Sequence, residues 1–318
     1  MRIIPWNFIL ICSIIFLGTS CISEDRDDCV YRLKFKYDYN MDYIDMFPEK
    51  VDRVDVFVFD DKGLFVQEIT EVTTTQFPED FGIELYLPVE KEYTFLTWGG
   101  WDKNQYDITK LVPGKTSITE VELGLKDRSS GFSNINLTPL WYGKLTTVVK
   151  GSGEAVVPLI KDSNKFRIAV RLLPTAEENT PPKHEEFDIF LESDNTLYDS
   201  NNKSMSSKAF RYRPYYKEND NRGFILELNT LRLISGRTNN LIFADPDTHE
   251  TLLSINLNEY LEDLKFLENS KMDFQEFLDR EDEFAVIFYF GSYAGNLFSS
   301  FIVEINDWVI RKQNEDNI

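Results

Sequence analysis

Apolar and polar positions alternate along much of the chain. Between Tyr31 and Tyr37, the side chains of Tyr31, Leu33, Phe35 and Tyr37 fall on one face and Arg32, Lys34 and Lys36 on the other. This period of two predicts a half-buried strand. Val54–Phe59 is almost wholly apolar and predicts a more deeply buried one, with Asp60–Gly63 as a turn and Leu64–Ile69 returning as its hairpin partner. Further strands are expected at Ile83–Leu87, Glu92–Trp98, Ser117–Leu123, Leu140–Val149, Ala155–Leu159, Phe166–Leu172, Phe187–Leu191, Phe224–Leu228 and Leu241–Phe243. Gly151–Gly153 reads as a hairpin turn, and Pro174–Lys183, with three prolines, as a loop. Phe284–Phe290 predicts a central strand and Phe301–Ile310 the last strand. Only Asn258–Phe266 carries a helical spacing, with Tyr260, Leu261 and Leu264 on one side. Short strands punctuated by Gly, Pro and Asp point to a mainly all-β chain of two tandem β-sandwich domains, residues 30–160 and 161–318. That boundary is soft, because Val156–Leu159 and Phe166–Leu172 can run on from one domain to the next. No repeat of 20–50 residues is evident.

The first twenty residues break the pattern. Met1 and Arg2 precede an apolar run, Phe8–Leu17, and Gly18, Thr19 and Ser20 lead into Cys21. Ten helical residues span only about 15 Å, half the hydrocarbon thickness of a bilayer, which fits a removable signal peptide better than a resident span. The sequence LGTSC resembles a lipobox, with Gly18 where a large aliphatic residue is usual. Residues 1–20 are therefore expected to be a lipoprotein signal, Cys21 to carry acyl chains, and residues 21–29 to form a lipidated tether. Two or three chains would hold the protein to a membrane in effect permanently. With Cys12 removed and Cys21 acylated, Cys29 stands alone and no internal disulfide can form.

Charge and candidate chemistry narrow the function. Fifty-four acids against 34 bases give a net charge of −20. Such a surface repels nucleic acid, and no basic run offers a phosphate-tracking patch. The two histidines, His184 and His249, have no Cys or His at ligand spacing, so no metal or other cofactor is expected. Asp245, Asp247 and Glu250 lack the glycine and distal glutamate of a calcium loop and read as turn residues. There is no nucleophile elbow, phosphate loop or dinucleotide fingerprint, and no carboxylate pair stands out, so an enzyme is not expected. Trp98 and Trp101 flank a Gly pair and are weighed as a sugar-stacking site against plain packing. The charge run Asp279–Glu283 reads as a solubilising cap on the apolar strand after it.

Several stretches together resemble one known family. They are the signal ending in Cys21, the run from Asp27 to Cys29, Val54–Asp60 with Gly63, Tyr93–Gly99 (YTFLTWG), Leu140–Gly143 (LWYG), Phe277–Phe284 (FLDREDEF) and Val303–Arg311 (VEINDWVIR). In order and spacing they resemble the FimB-type, minor-fimbria anchor lipoproteins of the Bacteroidota. The resemblance implies two transthyretin-like sandwiches at the base of a short fimbria. It implies attachment to the outer membrane through acyl chains on Cys21, and a stalk subunit as partner. Subunits of this family join by strand addition, and stalk subunits lose an N-terminal strand after a basic residue. An anchor is expected to keep that strand, here Tyr31–Tyr37, although Arg26, Arg32 and Arg53 are basic residues at which cleavage could occur. The polymer contact is then expected in the C-terminal segment, through Phe301, Val303, Ile305, Trp308 and Ile310, as a donor or as an edge. The alternatives are a stalk or tip subunit, and a surface lipoprotein that binds glycans.

Overall fold

The structure, a computed structural model, describes residues 30–173, 180–291 and 300–314. The signal, Cys21, Cys29 and Arg26 lie outside these residues, as does most of the Pro-rich loop. The N-terminal half comprises β1 (Val30–Lys36), α1 (Phe47–Lys50), β2 (Arg53–Phe59), β3 (Phe65–Val72), β4 (Ile83–Tyr86), β5 (Lys91–Gly99), β6 (Tyr106–Ile108), β7 (Glu122–Leu125), β8 (Phe132–Ser133), β9 (Trp141–Val149) and β10 (Gly153–Lys161). The C-terminal half continues with β11 (Ser163–Leu172), β12 (Asp188–Ser193), β13 (Leu197–Asp199), β14 (Phe210–Tyr212), β15 (Tyr216–Asp220), β16 (Gly223–Leu231), β17 (Asn239–Ala244) and β18 (Thr251–Asn256). After these come α2 (Leu257–Asn269), α3 (Phe274–Arg280), β19 (Glu283–Phe290), β20 (Ser300–Ile305) and β21 (Trp308–Asn314). The chain is all-β with a few short helices.

In the first half one strand joins two layers. The sheet order is β3-β2-β5-β9-β10-β1-β4. Residues Gly153–Pro158 of β10 pair parallel with β1, whereas Leu159–Lys161 pair antiparallel with β9. The hairpin expected across Gly151–Gly153 therefore splays open. Leu33, Phe35, Val56, Phe95 and Val157 fill the space between the layers. The other face of β2 and β5 is buried too. Phe57, Phe59, Leu96 and Trp98 belong to a second core that continues without a break into the C-terminal half. Burial on both faces explains why Val54–Phe59 shows no clean alternation.

The second half stacks two sheets, ordered β15-β16-β11-β19-β20-β21 and β18-β17-β12-β14-β8. Phe243 of one sheet meets Phe288 of the other edge to face at 5.5 Å. The expected division at residue 160 is crossed by two strands. β8 pairs with β14 of the C-terminal half, and β13 pairs with β7 of the N-terminal half.

Four expectations change. Ser117–Leu123 is not one strand, because Ser117 and Glu120 form a capping box around a short 3-10 turn, Ile118–Glu120, before β7. Phe301–Ile310 is not one strand but most of a hairpin, turning at Asn306 and Asp307. Both turn residues have positive φ, 47° and 68°, as a tight antiparallel turn requires. The helix α3 was not foreseen; Asp273 caps it by accepting from the Gln275 and Glu276 amides. Finally, the charge run is no fully exposed cap, since at the end of α3 Asp279 pairs with Arg232 and Arg280 reaches the N-terminal half at the Asn40 carbonyl.

The topology also sets a direction. β1 begins beside Gly153, at the start of β10. Only Asp162 separates β10 from β11, and together these strands trace a contour of roughly 60 Å. β19 runs parallel to β11, and the β20–β21 hairpin brings Asn314 opposite Ser300, at the end where Leu172 pairs with Phe290. The start of β1 and the end of β21 thus lie at the two ends of this path.

Candidate interaction edges and the joint between the halves

The six-stranded sheet has two edges of different character. At β15 every residue from Tyr216 to Asp220 is exposed, and charge and cover guard the strand. Arg171, itself buried, reaches Asp220 at 2.9 Å and also donates to the Phe224 carbonyl at 2.8 Å. Asn219 accepts from the His184 backbone at 2.9 Å and donates to Glu185, so the 3-10 turn His184–Glu186 lies against this edge. An edge dressed this way resists pairing with a foreign strand.

β21 pairs with β20 on one side and with no other strand among the described residues. It carries apolar side chains into solvent, with Trp308 45% and Val309 54% exposed. Ile310 packs partly against the core, and α2 lies alongside β21 and β17. The expected contact residues therefore divide. Phe301, Val303 and Ile305 are at most 1% exposed and belong to the core of the sandwich. β20, flanked by β19 and β21, has no free backbone edge to offer. Trp308 and Ile310 do lie on β21, which pairs on one side only among the described residues. The hairpin turn is pinned, since Ala285 and Asn306 exchange hydrogen bonds of 2.9 and 3.0 Å.

The tryptophan pair is not a sugar platform. Trp98 is fully enclosed, edge-on to Phe57 at 5.9 Å, and Trp101 is only 8% exposed with the Arg53 guanidinium over its ring. Stacking on a sugar needs a free ring face, and neither has one. Gly100 is required by geometry. Its φ is +71°, and a Cβ there would lie 2.1 Å from the Pro139 carbonyl. Asp245 is a turn residue whose carboxylate accepts from the Asp247 and Thr248 amides, which holds its pKa below the usual carboxylate value.

The joint between the halves is polar and buried. Asp162 donates its N–H to Leu140 and accepts at its carbonyl from the Arg232 amide and the Tyr198 hydroxyl. One carboxylate oxygen accepts from Asn202 at 2.9 Å. The Arg232 guanidinium lies 3.7 Å from both Asp162 and Asp279, one cation between a fully buried acid and a largely covered one. Burial pushes the Asp162 carboxyl up to about 7, against the pull of Arg232, and raises Asp279 for the same reason. Lys161 pairs with Asp282 across the same joint. Sequence reasoning missed this cluster, since Asp162, Arg232 and Asp279 are far apart in the chain.

Paired β-layers, a joint sealed by buried charge, and two sheet edges of different character define a class: a mainly β-stranded protein built from packed sheets. Comparison with known proteins narrows this. Residues 26–314 match the model of the family of fimbrillin-A associated anchor proteins Mfa1 and Mfa2, and the chain belongs to that family. Over 225 residues it is 24% identical to the minor fimbrium anchoring subunit Mfa2 of Porphyromonas gingivalis, a match covering 66% of this chain and 64% of that relative, just under two thirds of its length. A solved structure of the P. gingivalis fimbrial anchor Mfa2 shares the fold, with a TM-score of 0.68 at 19% identity over 89% of this chain and 99% of that one. A Bacteroides thetaiotaomicron structure, provisionally described as polysaccharide-binding, reaches a TM-score of 0.81 at 28% identity, covering 92% of this chain and all of the other.

Proposed function

We propose that this chain is the base subunit of a surface fimbria, tied to the outer membrane by acyl chains on Cys21 and holding the first stalk subunit. On this reading it has no catalytic role. The observation that carries the proposal is the polarity of the fold. The tether precedes β1 in the chain, while β21, which pairs on one side only among the described residues, ends at the other end of the β10–β11 path. Membrane attachment and polymer attachment are thereby kept apart, as a base subunit requires.

The join is strand addition to β21. An extended segment of the stalk subunit pairs with the free backbone of β21, main-chain hydrogen bonds supply affinity, and Trp308 supplies an apolar anchor. Family membership supports the anchor role, and the guarded state of β15 supports β21 as the receiving edge. The buried state of Phe301, Val303 and Ile305 favours an edge over a donated strand.

Two experiments test this reading. Cys21→Ser should release the protein from the membrane fraction; a variant that stays as firmly bound would refute lipid anchoring. N-terminal sequencing of surface-purified protein separates base from stalk. A base subunit starts at a blocked Cys21 and retains β1, whereas a start at Val54, after cleavage at Arg53, would identify a stalk or tip subunit.

A further inference from the structure

We infer that Arg280 is a latch through which the C-terminal half holds the N-terminal strand β1 in its sheet. Arg280 lies in the last turn of α3, where a cation suits the helix dipole, and its side chain is only 11% exposed. Its guanidinium sits 4.0 Å from the ring centre of Tyr39 and 4.5 Å from that of Tyr43. It also donates to the Asn40 carbonyl at 3.2 Å, and Glu276 orients it by accepting from Nε at 2.8 Å. All three contacts on the N-terminal half fall in the loop that directly follows β1.

That loop is stiff enough to transmit the hold. Asn40, nearly buried, donates to the Tyr37 and Ile44 carbonyls at 2.9 and 2.8 Å. Asp45 accepts from the Tyr37 and Phe47 amides, and Met46 donates back to the Tyr37 carbonyl. Tyr37 in turn packs edge-on against Trp141 of β9. Pulling β1 out therefore means breaking the loop away from α3 as well as breaking the β1 ladder.

The consequence concerns processing. Arg32 lies inside β1, paired to Glu154 on one side and Glu84 on the other, and a protease needs several unpaired residues around the bond it cuts. While the latch holds, cleavage after Arg32 is blocked. The contact itself rests on the fold alone; its meaning as a device that keeps a base subunit unprocessed rests on the proposed function.

Hydrogen exchange on the full mature chain tests the latch. In Arg280→Ala, protection of the β1 amides should fall roughly tenfold, the scale of a desolvated guanidinium–aromatic contact, and trypsin should begin to cut after Arg32. The β11 and β19 amides should keep their protection. Arg280→Lys should restore β1 only partly, because an ammonium lacks the planar face that stacks between two rings. Should Arg280→Ala not fold, Tyr43→Asn carries the test. Tyr43 is 55% exposed, and its positive φ of 57° suits asparagine, so the body stays intact while one side of the clamp is lost. Wild-type protection of β1 in a folded variant, or an even loss across β1, β11 and β19, would overturn the latch. Because neither readout involves the stalk or the membrane, failure here leaves the anchor reading standing.

Discussion

The two edges of the six-stranded sheet received different sequences, although among the described residues each pairs with a strand on one side only. β15 reads YKEND, every residue is exposed, and the neighbouring turn ties it down through Asn219. β21 begins with Trp308, Val309 and Ile310 and has no strand beyond it among the described residues. A free edge is an aggregation hazard unless it is blunted. β15 is polar along its whole length, whereas β21 is apolar over its first three positions, which under the proposed function is where a partner strand docks.

Removing the open edge should have the largest effect. Truncation after Asp307 deletes β21 and leaves the β20 core side chains in place. Binding of the stalk subunit should fall below detection in a pull-down, while circular dichroism retains the β signal. Full binding by the folded, truncated protein would break the comparison.

Next come two substitutions that separate the hairpin's interior from its surface. Ile305→Ala should cost about 2–5 kcal/mol of stability, because Ile305 is wholly buried and a cavity remains. Trp308→Ala should change stability by no more than about 0.5 kcal/mol, yet weaken stalk binding by about 2 kcal/mol as an interface anchor. Denaturant melts and a binding titration on both variants check the pair.

Acidity should act on the joint and not on either edge. Asp162 and Glu281 are each pushed up to about 7, both chiefly by burial, and Glu281 also by the nearby Glu268 and Asp282. Their folded values lie above the ordinary carboxylate value of about 4, so the folded state holds protons that the unfolded state has released. Stability from these groups is complete below about pH 4 and is lost as pH rises to about 7. The melting temperature should therefore be higher at pH 5 than at pH 8, with a shallower slope in Asp162→Asn. A stalk affinity that tracks this slope would tie the joint to the edge and blur their separation.

The smallest effect should come from unguarding β15. Glu218→Val with Asn219→Val removes a charge and the tie to His184 and Glu185. Sedimentation should then detect weak self-association at high protein concentration. A strictly monomeric variant would mean that the guard is not what keeps this edge free.

Much of the fold was legible because period-two patterning is a local signal. β1, β2, β5, β11, β16 and β19 all fall where alternation or an apolar run placed them, give or take a few residues. The C-terminal hairpin was missed although its signal was present. The apolar positions run 301, 303, 305 and then 308, 310, and this switch of parity at Asn306 and Asp307 marks a turn. The caps at Ser117 and Asp273 were likewise readable, each with a glutamate three residues on. The half-buried state of the charge run was not, because its partners Arg232 and Lys161 are distant in sequence and burial of a charge depends on them. The tryptophan pair misled for a related reason. Nothing local says that β5 is covered on both faces.

The most direct test compares the two edges in one sample. Amide exchange of the mature protein, measured alone and with the purified stalk subunit bound, reports which backbone becomes paired. Strand addition predicts new protection along Trp308–Asn314 and none along Tyr216–Asp220. New protection at β15, or a bound complex in which β21 exchanges as fast as before, would contradict it.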